Sequence, residues 1–284
     1  MATDVLDLVA DKKAKSEPFA LATVVRTVSV TAAKAGAKAV IAEDGTITGG
    51  WIGGGCARAA VVKAARLALE DGQSRLVSIQ PGDLLAAQGV ASGDEREGIT
   101  FAKNMCPSQG TMDIFIEPVL PRPALLILGA SPVAVALAEL GQRMDFSVIV
   151  AAPRDDLHKF SAADVRVEGL RLPDVVPRGL YVVVSTQGAG DHAALTAATQ
   201  VAGPRYVAFV GSRRKAAALR KDLAEEGLDR ASLAAVKAPA GLDIGAITSD
   251  EIALSILAEL IAIRRQGQRL PTAAAAQVQP LGQD

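Results

Sequence analysis

From Ala124 onward the chain alternates short, wholly apolar runs with helix-forming segments, and no other feature constrains its fold as strongly. Ala124–Leu128, Ser147–Ala151, Tyr181–Val184 and Tyr206–Val210 read as strands, and Val133–Met144, His192–Val201 and Arg213–Glu226 read as helices between them. Apolar strands joined by helical crossovers imply a parallel, doubly wound α/β sheet. A last helix, Asp250–Arg265, opens on Thr248-Ser249-Asp250-Glu251, which has the form of a capping box.

The first 120 residues read differently, as a mixed α/β domain. Residues 4–15 follow a helical pattern with Val5, Leu8 and Val9 on one face, and Phe19–Val28 is rich in strand formers. After the loop Ser29–Gly36, the runs Lys38–Ala42 and Thr46–Thr48 flank Glu43-Asp44-Gly45, which predicts a hairpin with an Asp-Gly turn. Ala57–Leu69 predicts a helix that stops at Asp71-Gly72, Arg75–Ile79 and Met112–Ile116 predict strands, and Pro81–Thr100 reads as irregular. Prolines at 118, 121 and 123 mark the boundary between domains. The expected organisation is 1–120, then 121–266, then a tail, 267–284, whose composition predicts disorder.

At 284 residues, half of them apolar, the chain has material for two cores. No apolar run approaches the roughly 20 residues of a membrane span, and the start, MATDVLDLVADKKAK, is charged and amphipathic unlike a signal peptide, so a cytoplasmic protein is expected. The Cys/His inventory is Cys56, Cys106, His158 and His192, with no CxxC or HExxH, which argues against a structural zinc site. A net charge of −1 and 3% aromatic residues give no reason to expect nucleic-acid binding.

Chemistry concentrates in Gly49-Gly50-Trp51-Ile52-Gly53-Gly54-Gly55-Cys56. The backbone N–H groups of Gly53, Gly54 and Gly55 have the freedom to converge on an anion, and a helix beginning at Cys56 or Ala57 adds its positive end. A thiol placed there is biased toward thiolate, from a free pKa of about 8.5 into a range of roughly 3.5 to 7.5. The plainer alternative is a turn into a helix with a small buried cysteine. In Asn104-Met105-Cys106-Pro107-Ser108-Gln109-Gly110 a thioether stands beside a thiol, a pair suited to Cu(I) or another thiophilic metal, against the alternative of two core-filling side chains.

Four loops of the second domain are further candidates. Gly129-Ala130-Ser131-Pro132-Val133-Ala134 stands where a dinucleotide-binding turn belongs, yet keeps only Gly129 of the three glycines, with Ser131 in the second position and Ala134 in the third. Val150-Ala151-Ala152-Pro153 has no ribose-binding acid. An ordinary NAD site is therefore not expected, and FAD, another nucleotide or no ligand stay open. Thr186, Gln187 and Gly188 present a hydroxyl, an amide and flexible backbone, with Asp191 as N-cap of the next helix. Ser212-Arg213-Arg214-Lys215 puts three cations at a helix N-terminus, a mismatch of about 0.3–1 kcal/mol each that a bound anion reverses. Asp243 lies in Pro239-Ala240-Gly241-Leu242-Asp243-Ile244-Gly245-Ala246, a loop that could close over the same crevice.

In order, Ala22-Thr23-Val24-Val25-Arg26-Thr27, Gly36-Ala37-Lys38, the block Gly50–Cys56, Leu125-Leu126-Ile127-Leu128-Gly129-Ala130, Gly211–Lys215 and PAGLDIGAITSDEIALSILAEL from Pro239 to Leu260 resemble the XdhC/CoxI/CoxF family of maturation factors for molybdenum hydroxylases. The resemblance spans nearly the whole chain and is closest to CoxF-like members. It implies an N-terminal domain with the cysteine loop, a C-terminal Rossmann-like domain, and a chaperone more than a catalyst. Such proteins receive or protect the molybdenum cofactor, assist its sulfuration and help load it into the large subunit of the target. CoxF-like members are tied to the copper–sulfur–molybdenum centre of aerobic carbon monoxide dehydrogenase. The implied partners are that large subunit and a sulfur donor or other maturation proteins, and a homodimer stays open. Cys56 and its glycines carry over; Cys106, where relatives have a second cysteine followed by glycines, is here followed by Pro107-Ser108-Gln109. The expected arrangement has an anionic cofactor between the domains, phosphates on Gly53–Gly55 and Arg213–Lys215, and metal or sulfur at Cys56 and Cys106. A flavin- or nicotinamide-dependent oxidoreductase and a scaffold without cofactor are the alternatives.

Overall fold

The computed structural model describes residues 4–107, 109–177, 179–188 and 190–265, with backbone alone at Cys56. The fold is mixed α/β in two units that divide between Pro121 and Arg122.

The first unit is built on a seven-stranded sheet. Its strands are β1 (Phe19–Val28), β2 (Lys38–Ala42), β3 (Ile47–Gly50), β4 (Arg75–Gln80), β5 (Glu95–Arg96), β6 (Ile99–Lys103) and β7 (Thr111–Val119), in the order β3-β2-β1-β7-β4-β6-β5. Neighbours are antiparallel except β4 and β6. Helix α1 (Val5–Ala14) touches β2 and β3. Helix α2 (Gly55–Asp71) crosses the sheet with Ala57, Val61, Ala64, Ala65 and Ala68 buried against Ala20, Ala22, Ile41, Val77 and Ile114. That spacing is one helical face, and its small side chains let the helix sit low on a sheet that also offers alanines.

Three expectations change here. The stretch expected to be irregular holds α3 (Gly82–Ala87), β5 and the start of β6, with Leu85, Val90 and Phe101 forming a small core of their own. Strand β3 runs two residues further than the hairpin pattern predicts, pairing Gly49 with Val40 and Gly50 with Ala39. Strand β7 runs through Pro118 into the expected boundary. Pro118 pairs with Ala20 of β1 but lies beyond the last β4 partner, Ile116, so its missing N–H interrupts no ladder on that side.

The second unit is a five-stranded, all-parallel sheet of β8 (Ala124–Leu128), β9 (Ser147–Ala152), β10 (Val165–Glu168), β11 (Tyr181–Val184) and β12 (Tyr206–Phe209). The order β10-β9-β8-β11-β12 is the 3-2-1-4-5 order of the Rossmann fold. Lys237 adds an isolated parallel bridge to Ala208 on the outer side of β12, where that fold places a sixth strand. Alternation along β8 accounts for its wholly apolar sequence. Ala124, Leu126 and Leu128 face the core under α5 (Asp191–Thr199), α6 (Arg213–Glu225) and α7 (Arg230–Ala235); Leu125 and Ile127 face that under α4 (Pro132–Arg143) and α8 (Ser249–Arg264). The capping box of α8 is present, Thr248 accepting from Glu251 N and Glu251 accepting from Thr248 N.

The segment between β12 and α8 is tied down by a buried carboxylate. Glu259 of α8, 9% exposed, accepts from the Tyr206 hydroxyl at 2.5 Å, from the Gly241 N–H at 3.1 Å and from Lys237 Nζ. Burial, and then the neighbouring carboxylate, push the Tyr206 phenol well above its ordinary pKa. In this unit, short β10, α7 and a 3-10 turn at Arg154–Lys159 are the elements not foreseen. The tail 267–284 lies outside the described residues.

Ile114 is fully buried between α2 and the sheet. Replacing it by alanine should cost about 2–5 kcal/mol of stability, read as a lowered urea midpoint in equilibrium unfolding.

Candidate functional site

Chain direction near the glycine block is set by backbone positions that need glycine. Gly50 has φ +84, and a Cβ on it would lie 2.1 Å from the Lys38 carbonyl oxygen; Gly53 has φ +116 and is buried. Gly54 differs. Its φ is −78, open to any residue, and a Cβ added there or at Gly55 would meet nothing within 4 Å. Conformation does not demand these two glycines, so what they preserve is open space.

That space fronts the start of α2, which begins at Gly55, so Cys56 lies in its first turn. The N-cap, Gly54, supplies no side-chain hydrogen bond, and the first turn carries no acidic residue. The first amide donors of α2 and its positive end have no side-chain acceptor at the cap.

Gly54 and Gly55 line a cavity of about 280 Å³ with Thr31, Ala32, Ala57, Ile79, Asn104, Met105, Cys106 and Met112. The structure thus brings the glycine block and the Met105-Cys106 loop, some 50 residues apart in sequence, to one hollow. Its apolar lining comes from α2, β4, β7 and the loops that carry Ala32 and Met105. Cys106 is exposed at it, and Met112, buried on β7, adds a second thioether that the sequence pattern did not single out.

Asn104 positions the Cys106 loop. Its buried amide accepts from Cys106 N at 2.9 Å and donates to the Gly110 carbonyl at 2.6 Å, while its own backbone N–H donates to Gln80 O at 2.6 Å at the end of β4. Gly110 closes the loop against Val30, whose carbonyl oxygen would be 2.2 Å from an added Cβ. Sequence reasoning missed Asn104; an Asx turn two residues before a candidate cysteine was the available signal.

In the second unit the carboxyl ends of β8 and β11 meet at the point where strand order reverses, the usual ligand crevice of this fold. Here the N-termini of α4 and α6 are capped by serine side chains. Gly129, φ +117, allows the close approach of Ser185, whose carbonyl oxygen would be 2.4 Å from an added Cβ. Ser131 donates its N–H to Ser185 O, caps α4 by accepting from Ala134 N at 3.1 Å, and shares a 2.6 Å hydrogen bond with the Ser185 hydroxyl. Pro132, next in line, has no N–H.

Asp191 is not the N-cap of α5; that is Gly190, φ +87. Asp191 is the first helical residue, 5% exposed, and accepts from the Thr186 hydroxyl and from Lys215 Nζ at 2.5 Å. Lys215, expected to hold an external anion with Arg213 and Arg214, is paired to this internal one. Ser212 caps α6 by accepting from Lys215 N. Arg213 and Arg214 are exposed and have no ion-pair partner among the described residues. Gln187 (φ +58) and Gly188 (φ +109) are exposed in the same loop, and Asp243 is exposed in the loop before α8.

Burial alone would raise the Asp191 pKa, but the Lys215 ammonium and the Thr186 hydroxyl outweigh it, and the carboxyl lies below the usual aspartate value. A depressed folded-state pKa contributes stability above the unfolded value that is lost as pH falls through the folded one. The stability gap between wild type and Asp191→Asn should therefore be largest near neutrality and shrink below about pH 4, as measured by thermal melts across pH. Asn104→Ala leaves the loop amides without their side-chain partner and should cost about 1–3 kcal/mol, with faster hydrogen exchange at Cys106 and Gly110.

Comparison with known proteins adds the family. Residues 13–80 match the model of the XdhC and CoxI family, and residues 125–260 match that of the XdhC Rossmann domain. The uncharacterized protein YqeB of Escherichia coli (strain K12) is 27% identical over 259 residues, which is 87% of this chain and 44% of YqeB. The chain thus spans less than half the length of that relative. A Bacillus halodurans protein described as a xanthine dehydrogenase is similar to 96% of this chain over 98% of its own, at 19% identity and a TM-score of 0.44. With one family segment in each unit, the chain belongs to the XdhC/CoxI family.

Proposed function

We propose that this protein is a maturation factor for a molybdenum hydroxylase, acting as an assembly chaperone on the cofactor of its target. Membership of the XdhC/CoxI family supports that role. One observation carries the site: an open, side-chain-free helix start and the Cys106 loop share a cavity of about 280 Å³. The donors suit the cargo. Backbone N–H groups from Gly53 to Gly55 hold anionic oxygens, with the positive end of α2 behind them. Cys106 and Cys56 offer soft sulfur to a molybdenum or copper species, or carry sulfur to it. Asn104 holds Cys106 in position, and the apolar walls keep water from the bound group.

The target we propose is the large subunit of a molybdenum hydroxylase such as aerobic carbon monoxide dehydrogenase, with a sulfur donor as second partner. Since Lys215 is committed to Asp191, the cavity of the first unit, without the α6 cations, is the proposed anchor for the cofactor. The serine-capped N-terminus of α4, with Pro132 at its first position, also speaks against the runner-up reading, an oxidoreductase that holds NAD or FAD by its pyrophosphate.

Protein purified anaerobically from a host that makes molybdenum cofactor should carry a pterin or metal by native mass spectrometry. Cys56→Ser and Cys106→Ser should each lower that occupancy, and activation of the apo-hydroxylase, by about tenfold or more. Full activation by both variants would reject the cysteine roles. Calorimetric titration with NAD or FAD should show no binding; tight binding of either would revive the oxidoreductase reading.

A further inference from the structure

The chain has four methionines and two cysteines in 284 residues, and three of these six, Met105, Cys106 and Met112, line the cavity at the start of α2. Core filling, the usual work of methionine, does not account for the set. Met105 is 73% exposed and Cys106 is exposed, so neither completes a core. Met112 is buried on β7. Its terminal methyl lies 3.2 Å from where a Cβ on Gly53 would stand, which puts the thioether end of the side chain beside the glycine block. Met105 and Cys106 are consecutive in the loop that Asn104 ties at both ends.

The rest of the lining decides which ligand such a set takes. Thr31 and Asn104 also line the cavity with polar side chains, and both are used within the protein. Thr31 donates to the Ala33 carbonyl at 2.6 Å, and the Asn104 amide is engaged with Cys106 N and Gly110 O. Among the described residues, no carboxylate or imidazole lines the cavity, and no group of three His, Cys, Asp or Glu stands together to hold a metal. Magnesium and calcium find no oxygen cage here, and zinc finds too few nitrogen and thiolate ligands. Thioethers are soft and neutral, and together with thiolate they select Cu(I). Charge agrees with that choice. One thiolate and two thioethers around a monovalent ion sum to zero, the state that the apolar walls of Ala32, Ala57 and Ile79 penalise least, whereas a divalent ion keeps a net positive charge.

We infer that Met105, Cys106 and Met112 form a binding site for a soft monovalent ion, Cu(I), which binds as the Cys106 thiol gives up its proton to solvent. This rests on the cavity reading above and divides the work of the cavity: the start of α2 takes anionic oxygens, and the sulfurs take the metal. The two methionines select the ion, and Cys106 carries the balancing charge.

Anaerobic titration with the Cu(I) complex of bicinchoninate should withdraw about one ion per chain from the chelator, with about one proton released. Cys106→Ser, Met105→Leu and Met112→Leu should each weaken Cu(I) binding by about tenfold or more. Leucine keeps the volume of methionine, so circular dichroism of both Leu variants should match wild type. In selenomethionine-labelled protein, X-ray absorption at the copper edge should show selenium bound to copper, a signal that a merely structural methionine does not give. Wild type that leaves Cu(I) with bicinchoninate yet carries a pterin would overturn the site and leave the chaperone reading standing; loss of both would end both. Undiminished Cu(I) affinity in the two Leu variants, with no selenium at the metal, would overturn the inference. Displacement of Cu(I) by an equal concentration of Zn(II) would overturn it as well.

Discussion

The path of the chain from β3 into α2 rests on two backbone positions that only glycine takes without strain. At Gly50 the neighbouring strand comes so close that its Lys38 carbonyl occupies the place of a side chain, and at Gly53 a positive φ turns the buried backbone toward the helix. Between them Ile52 enters the core and Trp51 is left outside. Everything proposed for the first unit follows from that path, because it sets where Gly54, Gly55 and the start of α2 meet the cavity. Larger residues at 50 or 53 would move the site before they touched any ligand.

Met105-Cys106 comes to the same cavity by an independent device. The Asn104 side chain ties its loop at both ends, to Cys106 N and Gly110 O, and Asn104 N ties the loop to β4. A small hollow with apolar walls and one open helix N-terminus favours an anion carrying a soft or planar group. The second unit reverses that logic. Its sheet order is that of a dinucleotide-binding fold, yet the N-termini of α4 and α6 are capped by Ser131 and Ser212, and Asp191 at the start of α5 is paired with Lys215.

Much of the architecture was legible in the residues. The strands β1, β2, β8 and β11 have the predicted bounds because their apolar content leaves one arrangement, and the α8 capping box reads directly from four residues. The region 81–100 was misread since α3 and β5 are too short to show a period, and their small core is completed by Phe101 of β6. Asp191 resembles an N-cap in sequence. Its role changed because Lys215, 24 residues later, and the hydroxyl of Thr186 draw the carboxylate inward.

By itself the sequence determined what is local: the doubly wound order of apolar runs and helices, the helix stops and caps, and the start of α2 at the end of the glycine block. Periodicity and φ preference act over a few residues, so they can be read from a few residues. Only the tertiary structure decided that the glycine block and Cys106 share one cavity, that Gly54 and Gly55 face open space while Gly50 and Gly53 bear backbone constraint, and that Lys215 is already paired. Those outcomes depend on sheet order and on which distant segments pack together, and no local pattern encodes them.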